Sequence, residues 1–232
     1  MVPLMRIISI GDIHMSAKNI YNIKEAETAD LIILNGDITN YGSSGDAKSV
    51  LDTILSVNQN VLAQFANLDK PELNDYLEEL NINLHNQARL VNNRVCLLGV
   101  GGSNQTPFGT PTEFSEQELH QFVENGYNQA TTFIGLAEPI EKIKIPLILV
   151  SHVPPEGTAV DTLRSGKHVG SKAIRRFIED KQPDLCISGH IHEATGMDMI
   201  GSTPIYNPGM FRNGGWLEIL INKSKITVTL HD

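Results

Sequence analysis

The sequence predicts an α/β fold with mixed β-sheets. Short apolar runs enriched in β-branched residues recur along the chain, and helix-like segments separate most of them. Three strand-like runs then follow one another near the C-terminal end. Regular alternation of strands and helices would favour a uniformly parallel sheet, whereas this closing series of strands favours sheets that also contain antiparallel neighbours.

Nine runs have the length and composition of strands. They are residues 6–10, 30–34, 60–65, 94–100, 146–150, 184–187, 204–206, 215–221 and 225–230. Four segments are predicted as helices: 46–57, 71–80, 115–125 and 171–180. The first places its apolar residues on one helical face after Ser43 or Ser44 as the N-cap. The third begins with Ser115 and has Glu118 three residues on, which is the pattern of a capping box.

The composition is that of a folded, acidic protein. Hydrophobic residues form 41% of the 232 residues, enough for a sizeable core, and no composition shift or repeat divides the chain. We therefore expect one domain over residues 1–232. Because the formal net charge is −9, the surface as a whole should repel nucleic acids and anionic membranes. We expect neither a long nucleic acid nor a membrane among the partners, and a homo-oligomer is allowed.

The cysteines and the N-terminal segment favour a cytoplasmic protein. Cys96 and Cys186 lie inside apolar runs and form no disulfide framework or zinc spacing, so we expect two buried, reduced thiols. Residues 1–8 lack the regions of a signal peptide, and no stretch of about 18 apolar residues is present to span a bilayer.

Side chains that bind metals follow five of the predicted strands, at the edge where α/β proteins bind ligands. Two pairs are spaced two residues apart, Asp12 with His14 and His190 with His192. On an extended segment such residues point the same way, so each pair is predicted to share one ligand. The full set is Asp12, His14, Asp37, Asn67, His152, His190 and His192.

This mixture of imidazole, carboxylate and amide groups predicts bound metal. Nitrogen and carboxylate ligands together suit Mn²⁺, Fe, Zn²⁺ or Ni²⁺, whereas Mg²⁺ and Ca²⁺ prefer shells of oxygen. Seven ligands are too many for one ion, but one bridging carboxylate would let them hold two. We therefore expect two divalent ions, with Mn²⁺ as the first choice.

The segments that carry these residues resemble the motifs of the calcineurin-like metallophosphoesterase superfamily. They read Asp12-Ile13-His14, Gly36-Asp37, Ala66-Asn67-Leu68-Asp69, His152 and Gly189-His190-Ile191-His192, in the order of that family. The resemblance implies an αββα sandwich, in which two mixed sheets pack face to face between helices. It also implies that one ion is held by Asp12, His14, Asp37 and His192 and the other by Asp37, Asn67, His152 and His190.

The same resemblance implies an enzyme, a metal-dependent phosphohydrolase of small phosphate esters and more specifically a phosphodiesterase. A hydroxide that bridges the two ions, positioned by Asp37, would attack the phosphorus in line. The alternative is a binding or scaffold module with little or no activity, as in the phosphoesterase-like subunit of retromer. The complete ligand set favours the enzyme.

The third motif departs from the family pattern at two positions. Ala66 stands where glycine is usual, and Leu68 stands where the family has a histidine thought to assist the leaving group, or in some members a cysteine. Leucine has no proton to donate. His168 is the best remaining candidate for a proton donor or substrate contact, and a plain surface-loop role is its alternative.

Three more residues are candidates for substrate binding. Gly170 and Ser171 lie at a predicted helix start, where backbone N–H groups can meet a phosphate, and Arg164 would either contact a substrate anion or lie solvated in its loop. The irregular stretch 101–112 is long enough to be a functional loop. The other histidines are expected to have surface or packing roles; they are His85, His120 and His231.

Overall fold

Strands and helices follow one another in the order expected for an α/β protein in the computed structural model, which describes residues 4–232. Residues 1–3, which belong to the segment inspected for a signal peptide, lie outside the described residues. The strands are β1 (Met5–Ile10), β2 (Leu31–Asn35), β3 (Val61–Gln64), β4 (Gln87–Val91), β5 (Val95–Val100), β6 (Ser103–Asn104), β7 (Glu113–Phe114), β8 (Leu147–Ser151), β9 (Leu185–Ile187), β10 (Gly196–Ile200), β11 (Thr203–Asn207), β12 (Trp216–Asn222) and β13 (Lys225–His231). The α-helices are α1 (Ser44–Val57), α2 (Glu72–Glu79), α3 (Glu116–Glu141) and α4 (Lys172–Lys181). Short 3₁₀ turns occupy Ala17–Asn22, Ala26–Thr28, Ala159–Asp161 and Phe211–Asn213.

The strands form two large mixed sheets, as predicted. The first has the order β13-β12-β1-β2-β3, in which β1, β2 and β3 are parallel and β12 runs antiparallel to both of its neighbours. The second has the order β10-β11-β9-β8-β5-β4, in which the four central strands are parallel and the two edge strands are antiparallel. Strands β6 and β7 pair separately.

Three apolar clusters define four layers. Alternate residues of a strand point to opposite faces of its sheet, so that Ile7 faces the second sheet while Ile8 faces the helices. The cluster between the sheets includes Ile7, Ile33, Leu97, Ile148, Val150, Ile187 and Ile219. Outside the first sheet, α1 and α2 bury apolar side chains against it, and α3 and α4 do so outside the second. The predicted αββα sandwich is confirmed.

All nine predicted strands are present, but four strands of the structure were not predicted. Strands β4 and β10 lie at the two edges of the second sheet and are half exposed, so neither has a continuous apolar run in its sequence. Pairing with β5 and β11 holds them in place. The other two, β6 and β7, have two residues each, which is too short for a periodic pattern.

Helix α3 was predicted to end at residue 125, which is wrong, because it continues to Glu141. Its beginning was predicted correctly, with Ser115 and Glu118 forming the capping box. Gly126 and the internal Pro139 lower helix propensity over the second half. A methyl group at Gly126 would collide with the Leu98 side chain of β5, so the glycine allows the helix to pack closely on the sheet. Tertiary packing therefore extends a helix that local propensity ends early.

Both cysteines are buried and unbridged, as predicted. Burial raises the pKa of the Cys96 thiol to about 12, which keeps it protonated and unreactive at neutral pH. Among residues 4–232, no helix combines the length and the apolar character needed to cross a membrane.

His85 has the packing role predicted for it. Its ring lies 4.6 Å from that of Phe65 and 4.7 Å from that of Phe122, between centroids, and it stacks on Phe114. Its Nδ1 accepts a hydrogen bond from the Gly101 N–H at 3.0 Å. Burial in this aromatic cluster lowers the pKa of His85 to about 4.

We expect this low pKa to make stability depend on pH. In the unfolded chain His85 binds a proton below about pH 6.5, and in the folded chain only below about pH 4, so protonation favours unfolding as pH falls between those values. From pH 7 to pH 5 this costs about 2 kcal/mol of the free energy of unfolding. His85→Gln keeps an acceptor for the Gly101 N–H. Between pH 7 and pH 5, its free energy of unfolding, measured in urea, should therefore fall by about 2 kcal/mol less than that of the wild type. The exposed His120→Gln is the control and should behave as the wild type; equal losses in all three proteins would contradict the prediction.

Candidate metal centre

The seven predicted ligands come from one edge of the sandwich. Asp12 and His14 follow β1, Asp37 follows β2 and Asn67 follows β3, all at the carboxyl ends of parallel strands in the first sheet. His152 follows β8, and His190 and His192 follow β9, at the carboxyl ends of parallel strands in the second sheet. The site therefore spans the two sheets.

Four of these residues form a tight group of metal-binding atoms. Asp12, His14, Asp37 and His192 each offer one ligand atom, and these atoms all lie within 4.8 Å of one another. Asp12 Oδ1 is 3.0 Å from His192 Nε2, and His14 Nε2 is 3.1 Å from the same nitrogen. Within residues 4–232 this is the one group of three or more His, Cys, Asp or Glu side chains gathered so closely. These four are the residues assigned to the first ion.

The residues assigned to the second ion present two buried atoms without partners. His152 Nδ1 donates to the Asn35 carbonyl at 2.7 Å, and its Nε2 lies 3.6 Å from Asp37 Oδ2 with no hydrogen bond among the described residues. Asn67 Oδ1 is likewise buried and unpaired there. A buried nitrogen and a buried amide oxygen left with free lone pairs fit a cation better than an empty space. His190 packs edge-on against His152, with ring centroids 5.3 Å apart.

Neighbouring groups aim the imidazoles at the site. His14 Nδ1 donates to Asn40 Oδ1 at 2.8 Å, which leaves Nε2 unprotonated on the side of the carboxylates. The Asn35 carbonyl does the same for His152. This is the arrangement by which a second contact fixes the tautomer and the orientation of a metal-binding histidine.

The electrostatics of the pocket favour positive charge. Burial alone would raise the pKa of Asp12, but the hydrogen bond from His192 and the charges of the surrounding histidines hold it at about 2. Burial alone would lower the pKa of His152, but the carboxylates of Asp37 and Asp12 raise it to about 9. For His190, burial and the nearby His152 lower the pKa to about 4. Two buried carboxylates thus attract a cation; a metal ion at this place would displace the proton that they otherwise favour on His152 Nε2.

Several of these residues have left-handed backbone conformations, which side chains other than glycine rarely adopt. The φ angles are +49° at Asp12, +46° at His14, +47° at Asp37 and +66° at His190. Each costs on the order of 1–3 kcal/mol and persists only where surrounding bonds impose it. Here the Asp12 N–H donates to the Gly36 carbonyl at 3.1 Å and the His14 N–H to the Asp37 carbonyl at 2.8 Å. Backbone strain of this kind is common at functional sites.

Asp69 is a structural residue of the site to which the sequence assigned no role. Its buried carboxylate accepts hydrogen bonds from the N–H groups of Ile38, Thr39 and Ala66 and from the Thr39 hydroxyl. Burial and the neighbouring Asp37 raise the pKa of Asp69 to about 7, and these hydrogen bonds oppose the rise. Asp69 thereby joins the loop that carries Asp37 to the loop that carries Asn67.

Ala66, where the family pattern has glycine, packs closely against Gly36. A Cβ atom at Gly36 would collide with the methyl group of Ala66, and Gly36 also has a φ of +88°. The methyl of Ala66 therefore requires glycine at position 36. Leu68 is the other residue that departs from the pattern, and its N–H donates to Asp37 Oδ1 at 2.9 Å.

The sequence model of the family described as calcineurin-like phosphoesterase matches residues 5–194, which contain all the candidate ligands. The chain belongs to the calcineurin-like phosphoesterase family. Membership in this family, together with the group around Asp12, supports a hydrolase that acts on phosphate esters and depends on metal. The chain is also 36% identical to the uncharacterized protein MJ1162 of Methanocaldococcus jannaschii over 213 residues, which are 90% of this chain and 89% of that protein.

Solved structures share the phosphoesterase fold at low sequence identity. The crystal structure of TT1561 of Thermus thermophilus has a TM-score of 0.65 and 15% identity, and the match covers 98% of this chain and 99% of that one. A dimetal phosphatase from Danio rerio has a TM-score of 0.64 and 12% identity, with coverage of 99% and 96%. These similarities establish the architecture.

The candidate substrate residues lie in the loop between β8 and α4, where internal contacts occupy most of them. His168 is 45% exposed at its side chain, and its Nδ1 lies 2.6 Å from the buried Asp161 carboxylate. Arg164 is exposed and pairs with Glu193, the residue after His192, at 3.3 Å. The loop thus borders the segment that carries His190 and His192.

The backbone at Gly170 and Ser171 does not offer N–H groups to a phosphate, contrary to expectation. The Gly170 N–H donates to Asp161 Oδ2 at 3.0 Å, and the Ser171 N–H donates to the Pro154 carbonyl at 2.8 Å. At the start of α4, the Glu116 carboxylate accepts from the Ser171 hydroxyl and the Ala173 N–H, both at 2.7 Å. An internal carboxylate therefore takes the place that a substrate anion was predicted to fill.

Proposed function

We propose that this protein is a dinuclear metal-dependent phosphodiesterase. The observation that carries the proposal is that two buried atoms, His152 Nε2 and Asn67 Oδ1, have no hydrogen-bond partner among the described residues. They belong to residues assigned to the second ion, and Asp37 joins them to the tight group that contains Asp12. Two divalent ions, with Mn²⁺ as the first choice, would supply Lewis acidity that lowers the pKa of a shared water and neutralises the phosphoryl oxygens. Their four positive charges exceed the two carboxylates, so a phosphate ester is attracted in spite of the net charge of −9.

In this proposal Asp37 joins the two halves of the site. One of its oxygens accepts the Leu68 N–H, the other faces His152, and Asp37 also belongs to the group with His14. Asp12 is held on the opposite side by the His190 N–H, which donates to Asp12 Oδ2 at 3.1 Å. The carboxylates are thus fixed before any substrate arrives, which limits the reorganisation that catalysis would require.

The surroundings favour a diester over a monoester. A monoester dianion carries more charge to be neutralised, and the nearby cation Arg164 is already paired with Glu193. Leu68 offers no proton to a leaving alcohol. His168 stays our proposed proton donor or substrate contact, because its loop is tied to the His190 segment through Asn207, whose Nδ2 donates to the Val160 carbonyl at 3.5 Å and to the Ile191 carbonyl at 2.9 Å.

The test is metal analysis of the purified protein together with hydrolysis of bis(p-nitrophenyl) phosphate and p-nitrophenyl phosphate in added Mn²⁺. We expect about two metal equivalents per chain and a higher kcat/KM for the diester, with loss of turnover after chelation and recovery on readdition of Mn²⁺. A protein that binds no metal and turns over neither ester would contradict the proposal and favour the scaffold alternative.

A further inference from the structure

A large aromatic side chain is exposed beside the candidate metal centre. Phe108 lies at the tip of the loop between β6 and β7, and 84% of it is exposed to solvent. Phenylalanine is normally buried, since about 25 cal/mol is lost for each Å² of apolar surface left in water. An exposed ring on a loop that contacts a candidate ligand segment is therefore a candidate for a binding contact.

The Glu113 carboxylate makes several hydrogen bonds within the loop. Glu113 accepts hydrogen bonds from the Thr106 hydroxyl at 2.5 Å, from the Thr110 N–H at 2.7 Å and from the Thr110 hydroxyl at 2.6 Å. Burial alone would raise the pKa of Glu113, but these bonds lower it to about 2, so the carboxylate stays ionised. The position of Phe108 is thus set by this network.

The same loop is built on the segment that carries Asn67. The Thr110 hydroxyl accepts from Asn67 Nδ2 at 3.2 Å, which directs Oδ1 of the amide towards the site. The Thr112 N–H donates to the Asn67 carbonyl at 3.2 Å, and the Thr112 hydroxyl donates to the Asp69 carbonyl at 2.6 Å. Phe108 therefore lies two residues before Thr110, which contacts the candidate ligand Asn67.

The segments that carry His14 and Asn67 hold further apolar side chains. Met15 is exposed and follows His14, and the half-buried Leu68 follows Asn67. Tyr41 is exposed, and its N–H donates to the Leu68 carbonyl at 2.9 Å. On the side of β8 and β9, by contrast, the border carries Arg164 and Glu193. The segments after His14 and Asn67 thus present apolar side chains, whereas the segment after His192 takes part in a charged pair.

We propose that the apolar border, formed by Met15, Tyr41, Leu68 and Phe108, binds a planar aromatic group of the ester, with Phe108 stacking on its ring. This inference rests on the proposed phosphodiesterase function. A flat ring buries large apolar area and pairs well with an aromatic side chain, whereas a short alkyl group does neither. The proposed substrate class is a phosphodiester that carries an aryl or nucleobase ring.

The test compares two diesters with the same leaving group, phenyl p-nitrophenyl phosphate and methyl p-nitrophenyl phosphate, in Mn²⁺. We expect the wild type to prefer the phenyl ester in kcat/KM, and Phe108→Ala to reduce that preference about fivefold, mainly through KM. Phe108→Tyr should retain the preference. Leu136→Ala, which truncates a side chain 68% exposed on α3, is the matched control and should behave as the wild type.

The outcomes separate the inference from the proposed function. If wild type and Phe108→Ala hydrolyse both esters with the same preference, the aromatic contact is overturned and the phosphodiesterase stands. If the wild type hydrolyses neither ester, both are overturned. Equal urea midpoints for Phe108→Ala and the wild type are expected, because the exposed ring contributes little to folding.

Discussion

Replacement of Asp37 by asparagine is expected to reduce kcat/KM for bis(p-nitrophenyl) phosphate by about a thousandfold, which corresponds to about 4 kcal/mol of transition-state stabilisation. Asparagine has nearly the same size, and its amide oxygen can still accept the Leu68 N–H. It lacks the negative charge that lies between the group around Asp12 and the His152 nitrogen. Both halves of the site would lose affinity for a cation at once.

Metal content and turnover are measured together on Asp37→Asn. Asp52→Asn makes the same chemical change on the exposed face of α1, where Asp52 pairs with Lys48, and should leave both quantities unchanged. Undiminished turnover in Asp37→Asn would contradict the dinuclear mechanism.

The second large effect concerns Leu68. Without a proton donor at this position, we expect the rate to fall steeply as the leaving group becomes less acidic. A histidine there should restore part of the general acid catalysis, which is typically worth about 10²–10⁴-fold. We expect Leu68→His to raise kcat for methyl phenyl phosphate by about a hundredfold and to change that for methyl p-nitrophenyl phosphate little.

The pH profile distinguishes this role from a general improvement of the site. Leu68→His should acquire a descending limb near the pKa of the new histidine, because its protonated form is the active one. Leu68→Gln adds a polar side chain without a titrating proton and is the matched control. An equal gain in both variants would refute the role of position 68 in proton donation.

The spacing of the candidate ligands predicted that they would converge, but the physical reason given for it holds only in part. Asp12 and His14 were expected to converge because they lie two apart on extended backbone, and they do converge, yet both have left-handed φ angles. His190 and His192 were expected to share a ligand, but His192 joins Asp12 whereas His190 packs on His152. Residue types and their order thus predicted candidate ligands that the fold brings to one edge, and the turn conformations set their geometry.

The residues that hold the ligands in place gave no comparable signal. Asp69 acts through hydrogen bonds to the backbone of another loop, at Ile38 and Thr39, and such partners have no fixed sequence separation. Glu113 acts within its own loop, through Thr106 and Thr110. The second half of α3 was missed for a related reason. Gly126 lowers the helix propensity of the isolated segment, but in the fold it allows the helix to pack closely on Leu98. The layers of the sandwich and its mixed sheets can be predicted from the pattern and order of apolar segments. Contacts between loops cannot, because they form only when the tertiary structure brings the loops together.

The division of the ligands between the two sheets has a consequence for folding as well as for catalysis. Asp12 and His192 are 180 residues apart in the chain, so an ion bound to both would act as a cross-link that closes a very long loop. Closing such a loop lowers the entropy of the chain, and this cost grows only slowly with loop length. An ion that binds the folded form alone would shift the unfolding equilibrium towards the folded form by mass action. The stability of the contact between the two sheets at this edge would then depend on the metal concentration. The melting temperature of the protein would rise with that concentration.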